Sequence, residues 1–308
     1  MARHLDFATD GSDWPNRETS TFVHADGIRW HVQQMQPPRR GAPALLLIHG
    51  TGAATHSWRG LMPLLARHHH VVAMDLPGHG FTGMPTRWAL SLPRMAQAVG
   101  ALTGMLDVHA DVIVGHSAGA AIAARMALDG LARPRRIVSL NGALLPLAGF
   151  AGQFFSPMAK LLAANPVVPR LFAWRAADRR VVERLIGSTG SALDAQGMAL
   201  YACLVANPAH AAGALSMMAN WALEPLQRDL PRLNVALHLV VAASDRTVPP
   251  AQAASVQRLL PAAWRTILPA LGHLAHEERP DLVAPLIEAE SAARKEHDEV
   301  AALPALGH

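Results

Sequence analysis

Asp111-Val112-Ile113-Val114-Gly115-His116-Ser117-Ala118-Gly119-Ala120 joins two unlike pieces of chain. Residues 112–114 are an uninterrupted apolar run, the pattern of a strand buried on both faces of a parallel sheet. Residues 120–128 are mostly small and apolar, the pattern of a helix packed close to its neighbours. Between them Gly115-x-Ser117-x-Gly119 must turn sharply, with Ser117 at the apex and glycines where strand and helix come nearest. Such a turn lifts a serine oxygen clear of the sheet edge and aims the Ala118 N–H at the same space.

Working outward, strand-like and helix-like runs alternate. Residues 21–23 and 28–32 flank Ala25-Asp26-Gly27 and read as an antiparallel hairpin. Further strands are expected at 44–48, 71–74, 112–114, 137–140, 235–242 and 265–268. Helices are expected at 58–66, at 250–260, from 280 to about 290, and from Ser91, read as the cap, to about 106. The fold class is therefore α/β: an eight-stranded, mainly parallel twisted sheet flanked by helices. Between 144 and 226 strand signals stop and helical spacing takes over, broken at Pro146, Pro157, Pro166, Pro169 and Pro208. The expected organisation is a core of residues 1–143 and 227–290, a helical cap at 144–226 and a flexible tail at 291–308.

Ligands on such sheets bind beyond the carboxyl ends of the strands. Gly50, Asp75, Ser117, Asn141, Asp245 and His273 all fall there. A serine hydroxyl needs a base, and the base needs a carboxylate on its other nitrogen. His273 follows the last strand and Asp245 the one before it, so Ser117, Asp245 and His273 are the candidate catalytic triad, in the chain order this topology uses. His276 competes for the base but sits where the last helix begins. Asn141 also ends a strand, yet an amide cannot balance an imidazolium. The oxyanion donors are assigned to the N–H groups of Thr51 and Ala118. His49 and Asp75 read as braces of their loops.

Composition narrows the alternatives. The 308 residues are 51% hydrophobic and only 16% charged, with a net charge of +4 and no dense Lys/Arg block, so nucleic acid is not an expected partner. Cys203 stands alone, which leaves no intramolecular disulfide. His68-His69-His70 reads as a solvated turn, and no metal or cofactor is expected. The N-terminus lacks an apolar signal core, so a cytoplasmic location is expected. The uncharged stretch 142–159 is broken by glycine and proline. It reads as a lid, buried or touching a membrane surface, rather than a spanning helix.

His49-Gly50-Thr51-Gly52, the residues 75–80, Gly115 to Gly119, 245–250 and Gly272-His273 resemble the α/β-hydrolase superfamily with a helical cap, over about residues 21–290. Residues 49–59, 115–121 and 140–150 resemble more closely the magnesium chelatase accessory proteins of bacteriochlorophyll biosynthesis. The resemblance implies a place in tetrapyrrole metabolism, with magnesium chelatase subunits as partners, but supplies no reaction. Two functions follow. One is a serine hydrolase acting on an apolar ester, thioester or amide. The other is a non-catalytic accessory that carries a porphyrin. Phe154, Phe155, Met158, Trp174 and Met217 of the cap are the expected substrate-binding residues. They suit a flat apolar guest such as a tetrapyrrole, whose carboxylates Arg170 and Arg175 could meet.

Overall fold

The computed structural model describes residues 4–39, 41–85, 89–146, 165, 167–176, 178–289 and 298–300. Strands β1 (Ser20–Ala25) and β2 (Ile28–Met35) form the expected hairpin around Asp26 and Gly27, at φ 51° and 72°. Two successive positive φ values suit a two-residue turn whose twist matches the strands. The chain continues through β3 (Ala44–Ile48), a 3-10 turn at Thr55–Trp58, α1 (Leu61–Leu65), β4 (His70–Met74), α2 (Leu92–Met105), β5 (Val112–His116), α3 (Ala118–Leu128) and β6 (Arg136–Leu140). Between β6 and β7 the described helices include α4 (Val167–Ala176), α5 (Arg179–Ser188), α6 (Ala195–Val205) and α7 (Pro208–Ala219). After α8 (Glu224–Asp229) come β7 (Ala236–Ala242), α9 (Ala251–Leu259), β8 (Trp264–Leu268), α10 (Ala275–Glu278), α11 (Pro280–Glu288) and β9 (Asp298–Val300).

The sheet order is β1-β2-β4-β3-β5-β6-β7-β8-β9, with the pairs parallel from β4 onward. The eight expected strands all form, and β9 adds a short ninth at the edge, inside the stretch expected to be a loose tail. Chain order reverses between β3 and β5, so a crevice opens beyond their carboxyl ends. Alternate residues feed two cores. Leu46, Ile48 and Ile113 pack with α2 and α3, while Leu45, Leu47 and Val114 pack with Trp58, Leu61 and Val283 on the other face. Burial on both faces explains why these strands read as continuous apolar runs.

Two local expectations need correction. The helix expected at 58–66 splits into the 3-10 turn and the short α1. Ser91 occupies the position before α2 but its hydroxyl makes no capping bond; its carbonyl accepts the Met95 N–H instead. Helix α8 runs across the expected cap boundary at 226. Among the described residues no single helix is long and apolar enough to cross a membrane, and α6 and α7 meet at an angle of 83°.

Candidate active site

Ser117 sits between β5 and α3 at φ 52° and ψ −117°, outside the ordinary regions for a residue with a Cβ. The surroundings hold it there. Its N–H donates to Leu140 O at 3.1 Å, and its carbonyl accepts from Ala120 and Ala143. A Cβ on Gly119 would lie 2.0 Å from Ile48 O, and one on Gly115 2.4 Å from Ala120 N, so both flanks admit only glycine.

His273 and Asp245 come from the loops after β8 and β7. His273 Nδ1 lies 2.8 Å from Asp245 Oδ2, with both side chains buried. Asp245 Oδ1 accepts the N–H groups of Thr247 and Val248 at 2.7 and 2.9 Å, which fixes the carboxylate plane. A carboxylate on Nδ1 keeps that nitrogen protonated and leaves Nε2 as the basic one. His116, next to Ser117, ties the His273 loop to the strand that leads to Ser117. Its Nε2–H donates to His273 O at 3.0 Å, and the two rings lie 4.7 Å apart. Burial and the neighbouring His276 and His273 hold the His116 pKa well below the imidazole range.

The loop after β3 approaches from the other side of the crevice. A Cβ on Gly50 would fall 2.9 Å from Ser117 Cβ, so the backbone passes close to Ser117. Among the described residues neither the Thr51 nor the Ala118 N–H has a hydrogen-bond acceptor. His49 braces this loop: its Nε2 accepts the Leu76 N–H at 2.9 Å, so Nδ1–H donates to Gly50 O at 2.7 Å. Burial lowers its pKa, which fits this neutral tautomer. Asp75 is a brace as well, accepting from Thr55 N, Phe81 N and His31 Nδ1. Burial alone would raise its pKa. His31, His49 and the Phe81 N–H outweigh that and hold it well below the usual carboxylate range.

His276 does not share the position of His273. Its Nε2 meets Ser57 Oγ at 2.8 Å, its ring packs on Trp58 and His116, and burial pushes its pKa down to about 3. Of the expected substrate-binding residues, Met217 is fully buried, and its Sδ receives the Thr51 hydroxyl at 3.5 Å. Trp174 is exposed on α4. Phe154, Phe155 and Met158 lie outside the described residues.

Three positioning features were not read from the sequence. Asn141 Nδ2 donates to His273 O at 2.9 Å and to Gly272 O at 3.2 Å, while its Oδ1 accepts Ala242 N at 2.7 Å. His210 of α7 accepts Gly80 N through Nδ1 and donates Nε2–H to Gly52 O, pinning the Thr51 loop from the cap. Thr189 O, just past α5, accepts the N–H groups of both Arg246 and His273. Asn141 carried a weak signal, a polar residue ending an apolar strand. His210 and Thr189 carried none, because their partners lie more than a hundred residues away or on bare backbone.

The alpha/beta hydrolase family profile matches residues 45–286. The chain belongs to that family. It is also 38% identical over 276 residues to the magnesium-chelatase 30 kDa subunit of Rhodobacter capsulatus, covering 90% of this chain and 95% of that protein. Among solved structures, an alpha/beta hydrolase fold protein from Burkholderia ambifaria aligns with a TM-score of 0.72 at 23% identity, covering 93% of this chain and 99% of the other. The enol-lactonase of Burkholderia xenovorans LB400 aligns with a TM-score of 0.71 at 18% identity, covering 87% and 98%. These two likenesses concern the fold alone.

Proposed function

We propose that the protein is a serine hydrolase acting on an apolar ester, thioester or amide, at the magnesium chelatase step of bacteriochlorophyll biosynthesis. The observation that carries this reading is the 2.8 Å contact between His273 and Asp245 beside a serine held at positive φ. Ser117 Oγ attacks the substrate carbonyl while its proton passes to His273 Nε2. Asp245 keeps Nδ1 protonated and balances the imidazolium. The negative oxygen of the tetrahedral intermediate takes the free N–H groups of Thr51 and Ala118. Its collapse breaks the bond to the leaving group, which receives the proton from His273. Water then repeats the sequence on the acyl-enzyme and frees Ser117.

The buried Met217 against Thr51 supports an apolar acyl or leaving group, with a tetrapyrrole ester as one such molecule. The second reading, a porphyrin-carrying accessory with an idle triad, is favoured by the name of the Rhodobacter capsulatus relative. A fluorophosphonate probe separates the two, since it needs an activated serine and an oxyanion site together. The hydrolase reading expects a single adduct on Ser117, lost in Ser117→Ala and reduced by orders of magnitude in His273→Ala. Folded protein that stays unlabelled, or carries the label on another serine, removes it.

A further inference from the structure

Helix α4 presents to solvent a face that a helix normally buries. Positions 167, 171 and 174 fall within about 60° of one another around a helix of 3.6 residues per turn. There Val167 is 58% exposed, Leu171 56% and Trp174 70%. The opposite side is already used: Pro169, Ala173 and Ala176 are buried, and α4 packs against α7. Arg170 and Arg175 lie one on each edge of the apolar stripe, both exposed. Neither is ion-paired among the described residues. Helix α5 follows with Leu185 exposed at 40% and with Arg179, Arg180 and Arg184 also exposed. From 167 to 188 five arginines face two carboxylates, and one of those, Glu183, is paired with Arg179 at 3.3 Å.

We propose that this face of α4 docks on the surface of an anionic lipid bilayer. An apolar stripe about 10 Å long, with an indole at its end and a guanidinium on each edge, matches the layering of an interface. The apolar side chains enter the acyl boundary, the indole takes the headgroup level, and the arginines stay among lipid phosphates. The surplus of positive charge is what selects this occupant over a neutral apolar surface. The docked helix also borders the candidate site. It lies on α7, whose Met217 meets Thr51, and α5 leads directly to Thr189, which holds the Arg246 and His273 backbones. The docking goes beyond the hydrolase reading and does not depend on it.

Flotation with vesicles of phosphatidylglycerol and phosphatidylcholine tests the proposal. Full-length protein and Ser117→Ala should both float, and both should float less with phosphatidylcholine alone or at raised salt. Leu171→Asp, and separately Arg170→Glu with Arg175→Glu, should lower partitioning roughly tenfold or more, with melting temperatures kept as evidence of folding. Because Ser117→Ala is expected to float, loss of hydrolase activity and loss of docking are read separately. The proposal is overturned if wild-type protein stays with the soluble fraction, or if folded variants float as well as wild type. It is also overturned if sedimentation shows a dimer that Leu171→Asp dissociates while no vesicle binding occurs, which would assign the face to a second copy of the chain.

Discussion

Asn141 shows how much a single amide can hold. It follows β6 at φ 45° and bonds three backbone groups: Gly272 O and His273 O in the loop after β8, and Ala242 N at the end of β7. An aspartate there would offer acceptors to two carbonyls and repel them. Asn141→Ala strands buried polar groups, each costing about 1–3 kcal/mol. The expected loss is about 2–4 kcal/mol in urea unfolding. If the hydrolase reading holds, the rate on a small ester should also fall through kcat, with KM nearly unchanged, because the base shifts while the binding surface does not. Asn141→Asp should be no better than Asn141→Ala. An unchanged midpoint and unchanged kcat in both variants would mean that His116, Asp245 and Thr189 position His273 without Asn141.

At the scale of elements, one of the links that fasten α6 to the sheet-bearing part of the fold is a buried carboxylate. Glu277 on α10 accepts from Tyr201 of α6 at 2.8 Å and from Ser57 at 2.7 Å, and it pairs with Arg59. Arg59 also reaches Asp194, the capping residue of α6, at 3.0 Å. Burial pushes the Glu277 pKa up, and Arg59, Ser57 and Tyr201 only partly pull it back. Removing the cation from a buried pair costs about 3–5 kcal/mol, against about 1 kcal/mol for a single hydrogen bond. Arg59→Ala should therefore destabilise far more than Tyr201→Phe. Its cost should shrink as pH falls, because Glu277 without Arg59 can be protonated. Urea midpoints at two pH values check both statements, and equal costs for the two variants would contradict the buried pairing.

Across the whole molecule, an unusual share of the histidines is buried and neutral. Burial lowers the pKa of His116, pushes His210 and His238 down to about 4, and His276 to about 3. In the unfolded chain these imidazoles titrate near 6.5. Between that pH and about 4 the unfolded state binds protons that the folded state refuses, so stability falls as pH falls. His210, His238 and His276 together give a slope approaching about 4 kcal/mol per pH unit near pH 5, and His116 acts in the same direction. A margin of about 5–15 kcal/mol would be consumed within two or three units. Asp75 adds nothing in this window, since the stability from its lowered pKa is lost only below about 4. Urea midpoints between pH 8 and pH 5 should fall steeply below about 6.5. A flat profile from 6.5 to 5 would show that the folded protein takes up these protons without unfolding.

Local sequence determined the strands, the turn at Ser117 and the order of the loops that follow β5, β7 and β8. Those features depend on neighbours in the chain: an apolar run with no polar break, glycines at fixed offsets, a loop where the run ends. For the same reason Ser117, Asp245, His273 and the Thr51 loop could be named from sequence as candidates. Tertiary structure decided how the site is held. Asn141 bonds Gly272 and His273, 131 and 132 positions away; His210 reaches back 158 positions to Gly52, and Glu277 reaches 218 to Arg59. A hydrogen bond between distant loops leaves no periodicity and no spacing to read. Exposure was equally hidden. Trp174 was expected to bind substrate and instead faces solvent with Val167 and Leu171, since an apolar stripe is written the same way whether it meets a ligand, another helix or solvent. Only the packing of α4 on α7 through its opposite side shows which stripe the fold uses and which it leaves open.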